Sequence, residues 1–78
     1  MTHQQFWHAI DCFARAHGVT CCGLARKSGL DPTVFNKSKR FYDTGQPRWA
    51  SMCCLAKILI ATNSTLSDFA RFVDDVDK

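Results

Sequence analysis

Six basic side chains, Arg26, Lys27, Lys37, Lys39, Arg40 and Arg48, lie between positions 26 and 48 against only two acids, Asp31 and Asp43. The whole chain carries a formal charge of +3, so the rest of it is slightly acidic, with Asp68, Asp74, Asp75 and Asp77 near its end. A basic patch on a near-neutral chain suits a polyanionic partner. Among these cations stand Thr33, Asn36 and Ser38, whose side chains make directional hydrogen bonds. A lone charge cluster is more often a solvated face. Its position, on a segment that reads as a short projecting helix, favours binding here.

Other chemistries find less support. His3, His8 and His17 all lie near the first helix without a convincing nucleophile or carboxylate partner, the seven acids are all aspartates, and no glycine-rich phosphate loop is present. No enzyme and no cofactor is expected. Cys12, Cys21, Cys22, Cys53 and Cys54 are odd in number, and the adjacent pairs lack the two-to-four-residue spacing of zinc ligands. Neighbours on a helix point about 100° apart, so one member of each pair should pack inward as a small apolar residue. His8 and Cys12 share a helical face, but two ligands do not make a metal site, and none is expected. Cys21 and Cys22 fall in the first turn of a helix, where the dipole favours a thiolate; a redox response is a secondary expectation. No charged start followed by an apolar run opens the chain, and the longest apolar stretch, 52–61, is too short to span a bilayer. A cytoplasmic location without membrane contact is expected.

The elements that must position the basic segment read as helices throughout, in a single domain over 1–78. Helix one is predicted over about 3–17, with Phe6, Ile10, Phe13 and His17 on one face and Gly18 as its stop. Thr20 caps helix two, which buries Leu24 and Ala25 and ends at Ser28. Asp31-Pro32 then provides an N-cap and a first-turn proline, opening helix three to about Lys39 with Phe35 inward. A long loop, 40–50, leads to Ser51, the cap of helix four, with a buried stripe of Cys54, Leu55, Ile58, Leu59 and Thr62. Thr65-Leu-Ser-Asp68 resembles a capping box and opens helix five, with Leu66, Phe69, Phe72, Val73 and Val76 inward. The expectation is an all-α, five-helix bundle.

Leu24-Ala25, Gly29, Leu30 and Phe35 form the skeleton of a helix-turn-helix over about 20–40. Such a motif sets the start of its second helix against base edges in the major groove. Thr33, Asn36 and Lys37 are then the base-reading candidates: Asn can bond adenine bidentately, Lys can donate to guanine, and Thr offers a hydroxyl or meets a thymine methyl. Ser38, Lys39, Arg40 and Arg48 are candidates for phosphate contacts, which fix register.

Residues 20–73 resemble the lambda-repressor-like (Xre-type) helix-turn-helix domains, whose helix order ends in a short Thr/Ser-Leu-x-x-Phe helix like 65–69. More narrowly, Gly-Leu-Ala-Arg-Lys-Ser-Gly-Leu-Asp-Pro-Thr-Val-Phe-Asn-Lys-Ser-Lys-Arg (23–40), followed by Gln46-Pro47-Arg48-Trp49, is similar to the N-terminal domain of bacterial LexA-like repressors of the peptidase-linked kind, and Trp7-His-Ala-Ile-Asp11 fits the same pattern. The resemblance implies operator binding as a homodimer, usually repressing transcription, and backbone contacts near Thr20 and Cys21. Cys21 stands where the superfamily often carries a Gln that contacts phosphate or supports the reading helix. The C-terminal dimerisation and Ser–Lys self-cleavage domain typical of that family has no counterpart in these residues, so an excised domain or a short relative is expected. Phe72, Val73 and Val76 could serve a dimer contact or close the monomer core. The expected function is sequence-specific double-stranded DNA binding as a transcriptional regulator. The alternative is a helical protein-interaction module, antitoxin-like or phage-related, that does not read DNA.

Overall fold

A computed structural model describes residues 1–75. Four α-helices run in order: α1 (His3–Ala16), α2 (Cys21–Lys27), α3 (Met52–Ala61) and α4 (Leu66–Asp75). The first helix is the centre, packing on α4 and α2, while α2 packs on α3. Every described element is helical apart from one isolated bridge between Phe41 and Pro47. None of these helices is long and apolar enough to cross a membrane.

Side-chain caps open the helices. Thr2 and Gln5 form a reciprocal capping box at α1, which the Thr-x-x-Gln spacing encodes. Thr20 accepts from Gly23 N–H, and Ser51 from Cys54 N–H. At α4 the unusual Thr-x-x-Asp box closes in both directions, at 2.9 and 3.2 Å. The helix exits share one form. Leu30 N–H bonds Ala25 O at 2.9 Å while Gly29, at φ 75°, takes the left-handed turn; Val19, Gly18 and Ala14 repeat the arrangement after α1. Asn63, at φ 55°, performs the same turn after α3, as a short polar side chain can.

The core is apolar and largely aromatic. Phe6, Trp7, Ala9, Ile10, Phe13 and Ala14 from α1 meet Leu24, Ala25, Phe35, Leu55, Ile58 and Phe69. Phe69 lies edge-on to Phe6 and Phe13, with ring centroids 6.0 and 5.7 Å apart, a favoured aromatic geometry. Ala9, Ala14 and Ala25, all buried, leave room for the helix axes to approach. Phe72 and Val73 pack partly against this core; Val76 lies outside the described residues.

Two expectations need correction. Four α-helices are present rather than five, because the predicted helix at 32–39 is not continuous. Residues 32–35 form a turn, Asn36 is extended at φ −64°, ψ 152°, and only Lys37–Lys39 complete a 3-10 turn. Its backbone bonds run to the third preceding residue: Val34 to Asp31, Asn36 to Thr33, Lys39 to Asn36 and Arg40 to Lys37. Thr33, Val34 and Asn36 are poor helix formers. Phe35 O, which a continuing helix would give to Lys39 N–H, accepts from the Arg40 guanidinium at 3.1 Å instead. Leu66 is the second correction. It was expected inward but is 55% exposed, since the first residue of α4 lies at the rim of the bundle.

Phe35 is the only fully buried side chain between Ala25 and Leu55, so it pins the basic segment to the core. Phe35→Ala is expected to cost about 3–5 kcal/mol, read as a lowered urea midpoint.

Candidate functional site

Every fourth residue of α1 from His3 faces the segment at 35–48. His3, Trp7 and Asp11 lie one above another on the helix, and each contacts that segment.

Asp11 holds Arg40 in a bidentate fork, with Nη2 to Oδ1 at 2.7 Å and Nη1 to Oδ2 at 3.1 Å. The guanidinium carbon also sits 4.8 Å from the centre of the Trp7 ring. Paired planar bonds and stacking on an aromatic face are what arginine offers and lysine does not. The Arg40 side chain is 12% exposed and that of Asp11 33%; Arg40 Nε is buried without a hydrogen-bond partner. The sequence reading placed Arg40 among the candidates for phosphate contacts. The structure places it inside, with its Nη groups committed to Asp11 and Phe35 O. Asp11 was missed as its partner. The available signal was its place as the only acid on α1, four residues beyond Trp7.

His3 Nε2 lies 2.8 Å from Arg40 O and 3.0 Å from Arg48 O, and Trp7 Nε1 donates to Arg48 O at 2.9 Å. Trp7 Nε1 also donates towards His3 Nε2 at 3.0 Å, so the tautomer of His3 sets whether that nitrogen donates to the carbonyls or accepts from the indole. Phe41 and Trp49 border the imidazole, with centroids 4.8 and 5.4 Å away. Within the clamped segment, Tyr42 N–H bonds Gln46 O, Arg48 N–H bonds Arg40 O, and Gly45, at φ 86°, turns the tip. Residues 40–48 are therefore a hairpin-like tongue tied at its base to α1.

The other candidates fall into two groups. Thr20, Cys21, Asn36 and Lys37 line one cleft of about 520 Å³ between the α1–α2 corner and the basic segment, with Asp11, Arg15 and Arg40 beside them. Thr33, Ser38, Lys39 and Arg48 are exposed but not part of that cleft. Thr33 is engaged by Asp31, which caps the turn: the Thr33 hydroxyl and N–H both donate to Asp31 Oδ1, at 2.6 and 2.8 Å. Arg48 lies 5.7 Å from the centre of the Tyr42 ring. Asn36 is half-buried and Lys37 exposed. Sequence reasoning overlooked Arg15, an exposed cation on the last turn of α1.

All five cysteines are free thiols; Cys54 and Cys21 pack partly on the core, whereas Cys53 is exposed. His8 Nε2 and Cys12 Sγ are 3.2 Å apart, and no group of three or more potential ligands occurs among the described residues. On another face, Phe6, Trp49, Leu55, Leu66, Phe69 and Val73 line an apolar groove of about 420 Å³, with Met1 and Met52 exposed at its edge.

Comparison with protein-family models, with curated proteins and with solved structures finds no match to this chain.

Two outcomes follow from this geometry. Asp11→Asn removes the charge facing a mostly buried guanidinium and is expected to cost about 1–3 kcal/mol, below the loss for a fully buried pair because water reaches Asp11. Urea unfolding measures the cost, and amide exchange should show lost protection at 37–48. The second concerns Asp31, whose carboxyl is held below the ordinary range first by the Thr33 hydroxyl, then by the Thr33 N–H. A depressed carboxylate adds stability that is complete above the unfolded value, ~3.9, and is lost as pH falls through the folded value. Thr33→Val should therefore raise Asp31 towards the ordinary range in a carboxyl-carbon NMR titration. Asp68, lowered by its own bonds with Thr65, should stay unchanged.

Proposed function

We propose that the chain is a sequence-specific double-stranded DNA-binding domain of a transcriptional regulator, acting as a repressor and binding its operator as a homodimer. The observation that carries this reading is the cleft at the α1–α2 corner. It gathers Asn36, Lys37, Thr20 and Arg15 on one concave, cationic surface beside a segment whose backbone is braced from behind. Asn36 and Lys37 have the chemistry to read base edges, and Lys39 and Arg48 supply exposed cations for phosphates. The likeness of residues 20–73 to lambda-repressor-like domains supports the same reading. The reading element is then a capped turn followed by a 3-10 turn, and Thr33 contributes to its shape through Asp31 as much as to any base.

A second reading, a helical protein-interaction module that does not read DNA, draws on the apolar groove with its exposed Met1, Met52 and Leu66. Exposed apolar surface gathered in one place marks interaction sites.

Selection of bound sequences from a random duplex pool, followed by a gel shift at physiological salt, decides between them. Retardation of the selected duplex is the expected result; none at micromolar protein would leave the interaction module standing. On that duplex, Asn36→Ala is expected to cost about 1–3 kcal/mol and to relax preference at one base pair, whereas Lys39→Ala should weaken selected and scrambled duplexes alike. Equal losses on both duplexes for Asn36→Ala would remove its base-reading role.

A further inference from the structure

We infer that the cleft at the α1–α2 corner seats one phosphodiester of the DNA backbone between Arg15 and Lys37, with Arg40 as a positioning residue behind it. This rests on the DNA-binding reading, adds to it a contact on the first helix, and moves Lys37 from the base edges to the backbone.

The series at every fourth residue of α1 continues beyond His3, Trp7 and Asp11 to Arg15. The first three turn their side chains to the protein's own segment. Arg15 stands next on that stripe, exposed, and lines the cleft together with Lys37. Asp11 is the only acid in the lining and is matched by the Arg40 fork. That pair is neutral as a unit, so the two remaining cations set the charge of the cleft. A concave site with two cations unmatched among the described residues favours an anion, and exposed Lys and Arg are the usual phosphate contacts. Arg40 faces the same cleft but has its Nη groups committed to Asp11 and Phe35 O. Its part is to hold Lys37, three residues back, at a fixed distance from α1.

The test uses the full chain, a fluorescein-labelled duplex recovered by selection, and a scrambled duplex of the same length. Anisotropy is read across about 50–300 mM salt, where log K falls with log salt in proportion to the phosphates neutralised. Arg15→Gln is expected to flatten that slope by about one unit on both duplexes and to weaken binding roughly three- to tenfold at the low-salt end. Arg15→Lys should retain most of the slope. Because the seat needs both cations to hold its one phosphate, losing either empties it, and Arg15→Gln with Lys37→Gln should flatten the slope by little more than either alone. Lys57→Gln, on the exposed side of α3, should change nothing, and thermal melts should show all variants folded. An unchanged slope for Arg15→Gln, loss confined to the selected duplex, or a two-unit loss in the double variant overturns the shared phosphate seat while leaving DNA binding intact. Failure of the unsubstituted chain to bind either duplex overturns the DNA-binding reading, and the seat with it.

Discussion

The fork between Asp11 and Arg40, stacked against Trp7, is the contact on which the shape of residues 31–50 depends. Residues 31–50 contain short turns, one three-residue 3-10 helix, one isolated bridge and one fully buried side chain, Phe35. So sparse a segment cannot set its own shape. The stripe on α1 sets it instead: His3 and Trp7 hold the carbonyls of Arg40 and Arg48, and Asp11 holds the Arg40 side chain. Ion pairs removed from water contribute little net stability, because desolvation offsets their attraction. Here the unpartnered Nε adds a further cost. What the fork supplies is a single conformation: a guanidinium stacked on one ring, forked onto one carboxylate and bonded to one carbonyl has few alternatives.

That stripe works only because the adjoining apolar face of α1, to which Trp7 itself belongs, is equally fixed. Phe6, Ala9, Ile10 and Phe13 are buried against α4 and α2. The helix therefore cannot rotate to relieve strain on the polar side without exposing its aromatics. Burying a Phe side chain contributes about 1.5–3 kcal/mol, so rotation by one residue would forfeit several such contributions at once. The apolar face thus sets the register of the polar face, and the polar face sets the segment at 35–48.

Much of the scaffold was legible because its signals are local. Thr20, Ser51 and the Thr65–Asp68 box mark three helix starts through bonds spanning three residues, and Gly18 and Gly29 mark ends by the φ they permit. Phe35 was read correctly as buried, yet the helix around it was not. Asp31-Pro32 is a sound start signal, and the turn it opens is present. The continuation fails at Asn36 because Arg40 takes the Phe35 carbonyl, a contact that depends on Asp11, 29 residues away from Arg40. No local pattern encodes that separation. Leu66 was misplaced for a related reason, since helical spacing puts it on the inner face of α4 but not how far the core extends along that face.

The same long-range pairing changes how the charge of the segment should be counted. Arg40 and Asp11 cancel, so the field seen by a distant polyanion is unaltered, because one charge of each sign leaves together. The cations available for close contact do change. Of the six between 26 and 48, Arg40 is withdrawn, whereas Arg15, far outside that window, enters through the fold. Long-range attraction follows from composition, but the positions of charge-assisted hydrogen bonds follow from which cations remain unmatched. On this surface those cations border the cleft and the tongue rather than the face of a regular helix. A partner's anionic groups would therefore be sorted by the spacing between α1 and the braced turn, a distance that the Asp11–Arg40 fork holds fixed.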